Sequence, residues 1–381
     1  MDLRPSADTA TQSTETLRTP DLQPAIKLLS NPLVLISPFF LWGTAMVAMK
    51  GVMAQTSPLF IASVRLLPAG ILVVLVSVFL GRSQPRGWQA WLWIGLFALV
   101  DGTLFQGFLA KGLERTGAGL GSVMIDSQPL AVAIMARFLF QEWIGPFGWV
   151  GLLVGLLGIS FIGLPDDWVL AFFQGNGINF EPVVTLEHEL WSVLFQQGEW
   201  LMLMAALSMA VGTILIRFVA RVADPVAATG WHMILGGLPL VALSAIDEPS
   251  AWQGISLSGW AEIGYATVFG SAIAYGIFFY IAAKGNLTSL SALTFLTPVF
   301  ALLFSTAFLA ESLSSLQWTG VLLTLISIYL VNQRMELADK WSLLRSSISS
   351  RDSGETVENW TDELAEASSP TTSGAAQDTA D

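Results

Sequence analysis

Four ionisable side chains stand within long apolar stretches of this 381-residue sequence, where ionised groups are costly and rare. They are Asp101, Asp126, Arg65 and His232. We expect the two carboxyl groups to take up and release a proton, because the approach or departure of an Arg changes how strongly a carboxyl holds its proton. The alternative is a fixed Asp–Arg pair that holds helices together. An unperturbed His titrates near neutral pH, so His232 could also handle a proton or the substrate. The alternative role for His232 is packing between helices.

Polar and aromatic neighbours are predicted to shape the same site. Gln128 precedes Pro129, and Thr297 precedes Pro298. A proline within a helix frees a backbone carbonyl, so Pro129 and Pro298 are expected to break or loosen their helices for gating. The remaining candidates for a substrate or proton pathway are Gln106, Trp42 and Tyr275. For each of them the alternative is packing or a helix–helix hydrogen bond.

The composition has few charged residues and many hydrophobic ones. Only 12% of the residues are charged and 53% are hydrophobic, whereas about 25% are charged in soluble domains. An ordinary cytosolic enzyme is therefore excluded. With no Cys and two His, neither a metal site nor a cofactor is expected. The net charge of −12 gives no support to a nucleic-acid partner.

Ten apolar stretches are each long enough, at about 20 residues, to cross a bilayer as a helix. They are too long for barrel strands and lack the alternation of such strands. The sequence therefore predicts an all-α membrane protein with ten transmembrane helices. The stretches are 33–53, 58–80, 88–111, 117–139, 147–164, 199–221, 226–245, 258–282, 287–309 and 315–331.

The two halves of the chain match each other without gaps over much of their length. A shift of 169 residues places Pro129 on Pro298 and Glu142 on Glu311, and a shift of 167 places Arg65 on His232. Each half has five spans, and because five is odd the second half enters the membrane in the opposite sense. Two inverted five-helix repeats place a binding site near the midplane and support alternating access. Glu142 and Glu311 are expected to be structural caps or gates.

The distribution of Lys and Arg predicts the orientation. With the N-terminus in the cytoplasm, thirteen of them lie on the cytoplasmic side and three lie outside. Both termini are then cytoplasmic, and the expected location of the protein is the plasma (inner) membrane. The expected organisation is a disordered N-terminus (1–30), a first repeat (31–165), an external acidic linker (166–198), a second repeat (199–334) and a disordered acidic tail (335–381).

These repeats resemble the EamA branch of the drug/metabolite transporter superfamily over about 33–331. The features that carry the resemblance are a fourth helix with a central Pro, an exit ending in Glu, and a Gly-rich fifth helix. They read Gln128-Pro129, Gln141-Glu142 and Trp149-Val150-Gly151, then Thr297-Pro298, Ala310-Glu311 and Trp318-Thr319-Gly320. The segments 101–107 and 125–129 are similar to a cyanobacterial and plant-plastid subgroup. The resemblance implies a secondary carrier for small metabolites, often an exporter.

The sequence thus predicts a secondary active transporter of small organic solutes, amino-acid-like or amphipathic, that works by alternating access with proton coupling. The alternative is an uncoupled, channel-like permease. An enzyme is not expected, since the sequence has no His-Glu-x-x-His or Gly-x-Ser-x-Gly motif. The expected partners are a small-molecule substrate and the lipid bilayer. The Gly151-x-x-x-Gly155 face packs either within the fold or against a second copy in a homodimer.

Overall fold

The computed structural model describes residues 31–115, 124–164, 166, 169–170, 198–309 and 314–352. The predicted N-terminal segment, most of the linker, Glu311 and the end of the tail lie outside these residues. Every regular element within them is a helix. In chain order the helices are α1 (Pro32–Lys50), α2 (Pro58–Phe79), α3 (Gly87–Arg115), α4 (Gln128–Phe140), α5 (Gly145–Gly163), α6 (Gly198–Val219), α7 (Pro225–Asp247), α8 (Leu257–Lys284), α9 (287–309), α10 (Ser315–Asn332) and α11 (Arg334–Asp352).

Nine of the described helices are long and apolar enough to cross a membrane. They account for all the predicted spans except 117–139, of which the structure describes only the later part as the shorter apolar helix α4. The all-α membrane fold is therefore confirmed, while the count of ten spans stays a prediction. Because successive helices alternate in direction, the bundle has two ends: the Asn31 end, where α1 begins, and the Thr56 end, where α1 meets α2.

The start of the predicted disordered tail is instead helical. The helix α11 covers Arg334–Asp352 directly after α10. Its first residue is held by the bundle, because the Arg334 guanidinium donates to the backbone carbonyl oxygen of Trp143 and to Asn286 Oδ1. Lys340 lies one helical turn after Glu336 and pairs with it at 2.6 Å. The polar composition that suggested disorder thus includes local pairs that favour a helix.

Two helices carry the same backbone irregularity at matching places in the repeats. In α3 the residues Ala98–Phe105 form a π-helix, and in α8 the residues Val268–Ile273 do. The shift of 169 residues maps the first segment onto the region that contains the second. Such π segments are rare and occur frequently at functional sites.

The spans that contain α4 and α9 are interrupted instead of running straight. Asp126 and Ser127 form a turn before α4, and a 3₁₀ turn at Leu293–Phe295 precedes the main part of α9. Pro129 and Pro298 then lie in the first turn of the following helix, where a missing N–H costs no helical hydrogen bond. Asp126 is therefore not in the middle of a continuous helix, as the sequence suggested, but in a turn.

Equivalent helices of the two repeats form the most extensive contacts in the described structure, α2 with α7 and α5 with α10. Small residues allow these backbones to approach closely, as is common in membrane bundles. Gly151 of α5 lies against Val331 and Leu330 of α10, and Gly155 lies against Ser327. The Gly151-x-x-x-Gly155 face therefore packs within the fold, the first of the two alternatives above.

Gly70 provides a test of this close packing. A Cβ added there would lie 2.8 Å from both the Gly230 carbonyl oxygen and the Ile234 amide nitrogen, and these backbone atoms cannot move aside easily. We expect Gly70→Ala to destabilise the protein by about 1–3 kcal/mol, the usual cost of overpacking. The measurement is the melting temperature of the purified protein in detergent.

The matched control is Gly95→Ala in α3, where an added Cβ meets no atom within 4 Å. Because Ala favours a helix over Gly by up to about 1 kcal/mol, this variant should melt at or above the wild-type temperature. Equal melting temperatures for the two variants would contradict the packing described for α2 and α7.

Candidate functional site

Asp101 and His232 form a fully buried pair between the two repeats. The Asp101 Oδ2 atom lies 3.1 Å from His232 Nε2, and both side chains are about 1% exposed. On the other side of the ring, His232 Nδ1 lies 2.5 Å from the backbone carbonyl oxygen of Thr229. Asp101 belongs to α3 and His232 to α7, so this contact joins the first repeat to the second.

The partners of His232 determine how many protons the pair holds. A carbonyl oxygen only accepts hydrogen bonds, so Nδ1 must carry a hydrogen to bond Thr229. A hydrogen bond between Nε2 and Asp101 then needs one more proton, carried either by the imidazole or by the carboxyl group. Without that proton the Nε2 lone pair would face a carboxylate, which repels it. The observed geometry therefore corresponds to a pair that holds one exchangeable proton.

The surroundings fix both members of the pair. Asp101 lies in the π segment of α3 and against Gly212 of α6, where a Cβ would overlap the carboxylate. The ring of Phe97 stacks on the His232 ring at 3.9 Å between centroids, and Phe279 packs against the ring edge-on. The pair is thus held in an apolar environment in which water does not solvate it.

A second polar cluster lies beside the first and also crosses between the repeats. Arg65 Nη2 donates to Gln106 Oε1 at 3.0 Å, and Gln106 Nε2 donates to the Tyr275 hydroxyl at 2.9 Å. The Tyr275 ring packs edge-on against Trp42 at 5.3 Å. Gln106 and Tyr275 are exactly one repeat apart, 169 residues, so the hydrogen bond joins equivalent positions. We call these four residues the Arg65 cluster.

The structure changes the pairing that the sequence suggested. Arg65 does not pair with Asp101, because Asp101 binds His232 and the Arg65 guanidinium binds Gln106 and, at 3.7 Å, Met49 Sδ. The fixed pair of Arg65 with Asp101 that the alternative required is therefore absent from this part of the described structure. His232, whose alternative was a packing role, turns out to be the direct partner of Asp101.

The other candidates lie apart from these two clusters. Gln128 is buried and contacts Thr213 of α6 at 3.4 Å. Asp126 is partly buried in the turn before α4, next to residues 116–123 that lie outside the described part of the chain. The roles of all the candidates remain predictions. Sequence reasoning did not include Thr229 and Gly212 among the candidates. Thr229 lies one helical turn before His232, and Gly212 corresponds to Gly43 under the shift of 169 residues.

At the Asn31 end, Glu142 connects the first repeat to the start of α9 in the second. Its carboxylate accepts hydrogen bonds from the backbone amides of Leu287 and Thr288 at 2.9 and 3.0 Å, and from the Thr288 hydroxyl at 2.8 Å. A carboxylate at a helix N-terminus satisfies amides that have no helical partner. Burial lowers the pKa of the nearby Arg334 guanidinium, and the charge of Glu142 opposes this shift.

At the Thr56 end, Glu248 makes the reciprocal contact from the second repeat. Its Oε2 atom accepts a hydrogen bond from the Phe60 amide in the first turn of α2, at 2.8 Å. Lys111 of α3 lies 3.8 Å from the other carboxylate oxygen. A carboxylate from one repeat thus caps a helix of the other repeat at each end of the bundle.

Two helical halves that pack through equivalent elements, with polar groups buried between them, define a membrane transporter of the inverted-repeat class. The model of the EamA-like transporter family matches residues 30–164 and 196–333. The chain therefore belongs to the EamA-like transporter family, as the resemblance predicted, and it is a multi-pass membrane protein.

The relatives agree with this assignment. Over 322 residues the chain is 63% identical to the transporter sll0355 of Synechocystis, covering 83% of this chain and 95% of that protein. It is 52% identical over 303 residues to the chloroplastic WAT1-related protein At3g02690 of Arabidopsis thaliana, covering 78% of this chain and 68% of that protein. The inner membrane transporter YedA of Escherichia coli is 26% identical over 298 residues, which are 77% of this chain and 87% of YedA.

A solved crystal structure has the same fold. It superimposes with a TM-score of 0.65 at 17% sequence identity, and the match covers 78% of this chain and 94% of that one.

Glu142 generates a test of the contact between the repeats. Glu142→Ala leaves two backbone amides and one hydroxyl at the start of α9 without their acceptor, and a buried unsatisfied donor costs about 1–3 kcal/mol. We expect a lower melting temperature in detergent, with a smaller loss for Glu142→Gln, which retains an acceptor oxygen.

The control is Glu336→Ala, which removes an exposed acid whose ion pair contributes at most about 1 kcal/mol. A wild-type melting temperature for Glu142→Ala would show that its contact to α9 does not hold the repeats together.

Proposed function

We propose that the protein is a secondary active carrier that exports small organic metabolites by alternating access, with its cycle coupled to the binding and release of one proton. The proposed location is the plasma (inner) membrane with both termini in the cytoplasm, and a plastid-type membrane is the alternative suggested by the Arabidopsis relative. The observation that carries the proposal is the buried Asp101–His232 pair, whose contacts are suited to one shared proton.

Loss of this proton changes the contact between the repeats. The deprotonated pair would place a carboxylate against the lone pair of a neutral imidazole, and this repulsion is strong because no water screens it. Asp101 and His232 belong to different repeats. If the repulsion moves them apart, α3 must pack against α7 in a different way from the one described here. Proton release and a change in the arrangement of the repeats are then the same event.

The carboxylate caps at the two ends are suited to the gating that alternating access requires. Glu142 binds the start of α9 at the Asn31 end, and Glu248 binds the start of α2 at the Thr56 end. In the proposed cycle one contact is broken while the other stays intact, so that the site opens to one side at a time. An uncoupled permease, the alternative function, would show flux that does not depend on a proton gradient.

The test uses purified protein in liposomes loaded with a low-molecular-mass extract of the host cells. We expect the release of extract compounds, measured by mass spectrometry, to depend on an imposed pH gradient for the wild type. Asp101→Asn should abolish this dependence, because the Asn amide can donate to His232 Nε2 but has no exchangeable proton of this kind. His232→Gln should do the same, while Glu336→Gln at the exposed start of α11 should behave as the wild type.

Two results would overturn the proposal. Gradient-dependent release that persists in both Asp101→Asn and His232→Gln would remove the pair from the coupling mechanism. Wild-type release that is indifferent to the gradient would identify an uncoupled permease. A comparison of cells that lack or overproduce the protein tests the direction, since an exporter moves its substrate from the cells to the medium.

A further inference from the structure

Two buried N–H groups of the Arg65 cluster have no acceptor among the described residues. They are Arg65 Nε and Trp42 Nε1. Both residues are partly exposed, whereas Gln106 and Tyr275 beside them are buried at 2% and 5% exposure. The partly exposed side chains of Arg65 and Trp42 thus lie next to the buried Gln106–Tyr275 bond, while their two N–H groups are themselves buried. A donor that is buried without an acceptor is unfavourable, and more so when it is charged.

The groups of the cluster that the described residues leave without any hydrogen-bond partner are donors. Gln106 uses its oxygen to accept from Arg65 and its amide nitrogen to donate to Tyr275. The opposite orientation of the Gln106 amide would place two donors against each other at Arg65. The Tyr275 oxygen already accepts from Gln106, so its own O–H is a further donor. A ligand that completes this cluster must bring acceptor atoms.

The charge of the cluster is also unbalanced. Within the described part of the chain, no carboxylate lies within ion-pair distance of Arg65. Asp101 pairs with His232 instead. With its proton bound, the Asp101–His232 pair is neutral overall and offers no compensating charge. Arg65 therefore provides one full positive charge together with N–H groups. Glu142 and Glu248 do not compensate it, because both bind helix starts at the ends of the bundle.

We propose that Arg65 and Trp42 bind the carboxylate group of the transported solute, so that the substrates are small carboxylate-bearing metabolites. A planar guanidinium matches a carboxylate in geometry and charge, and the indole N–H adds a directed donor. The buried rings of Phe39, Phe278 and Tyr275 pack around Trp42 and hold its indole in place. This inference rests on the proposed carrier function and narrows its substrate class.

The experiment uses the same extract-loaded liposomes and identifies every released compound by mass spectrometry. The wild type should release compounds that carry a carboxylate. Arg65→Gln should reduce their release about tenfold or more, as expected when a hydrogen-bonded charge is removed from a binding site. Arg65→Lys keeps the charge but loses the fork of donors, so it should lie between the two. Trp42→Phe keeps a ring and removes the N–H, so it should reduce release severalfold.

The matched control is Arg137→Gln, which removes the same charge at an exposed position in the last turn of α4. It should release the same compounds as the wild type. Each variant is checked for a monodisperse elution profile, and the graded order of Arg65→Lys and Trp42→Phe separates a binding defect from a folding defect.

The outcomes distinguish this inference from the function on which it rests. Release of compounds without a carboxylate, or wild-type release of carboxylates by Arg65→Gln, overturns the carboxylate site and leaves the carrier intact. No release of any compound by the wild type overturns the carrier itself.

Discussion

The contact between Asp101 and His232 is the interaction on which the arrangement of the two repeats depends. Neither group can be solvated in an apolar bundle, so each must find its partner on a neighbouring helix. The partner lies in the other repeat, and the same is true of Gln106 with Tyr275, Glu142 with α9 and Glu248 with α2. The apolar faces of the helices define a bundle, whereas these polar contacts specify how one half is placed against the other.

The two repeats resemble each other more in their backbones than in the side chains at equivalent positions. The helices α3 and α8 share a π segment, and α4 and α9 share a break before a proline. At equivalent positions, however, Asp101 corresponds to Gly270 and Arg65 to His232. The side chains at these matching places therefore form a buried carboxyl–imidazole pair in one cluster and leave an excess of donors in the other. In the proposed carrier, binding of a proton and binding of a solute need different groups, and the different side chains of the two clusters would provide them on one scaffold.

Most of the fold could be predicted from the sequence, because long apolar stretches and a repeat of fixed register leave few alternatives. The residues of the two buried clusters were among the candidates, since an ionisable group in a span is conspicuous, and their roles stay predictions. Their pairing could not be predicted. Arg65 was expected near a carboxylate, but the part of α3 that contains Asp101, Gly87–Phe105, is apolar around its circumference and gives no periodic signal for its rotation. The turn at Asp126 was missed for a related reason, since a proline in an apolar run marks a break only to within a few residues.

The π segment of α3 explains why one helix can serve both clusters. In a regular α-helix, Asp101 and Gln106 would point about 140° apart, because residues five apart are separated by about 1.4 turns. The π segment Ala98–Phe105 has wider turns, with hydrogen bonds between residues five apart, and so brings these two positions closer to one face. Asp101 then meets His232 of α7 while Gln106 meets Arg65 of α2 and Tyr275 of α8. Since π and α turns differ by one residue of register, relaxation of this segment would rotate Asp101 relative to Gln106. In the proposed cycle, a change in proton occupancy at the first cluster would therefore reach the second through the backbone of a single helix, with no need for a chain of side-chain contacts between them.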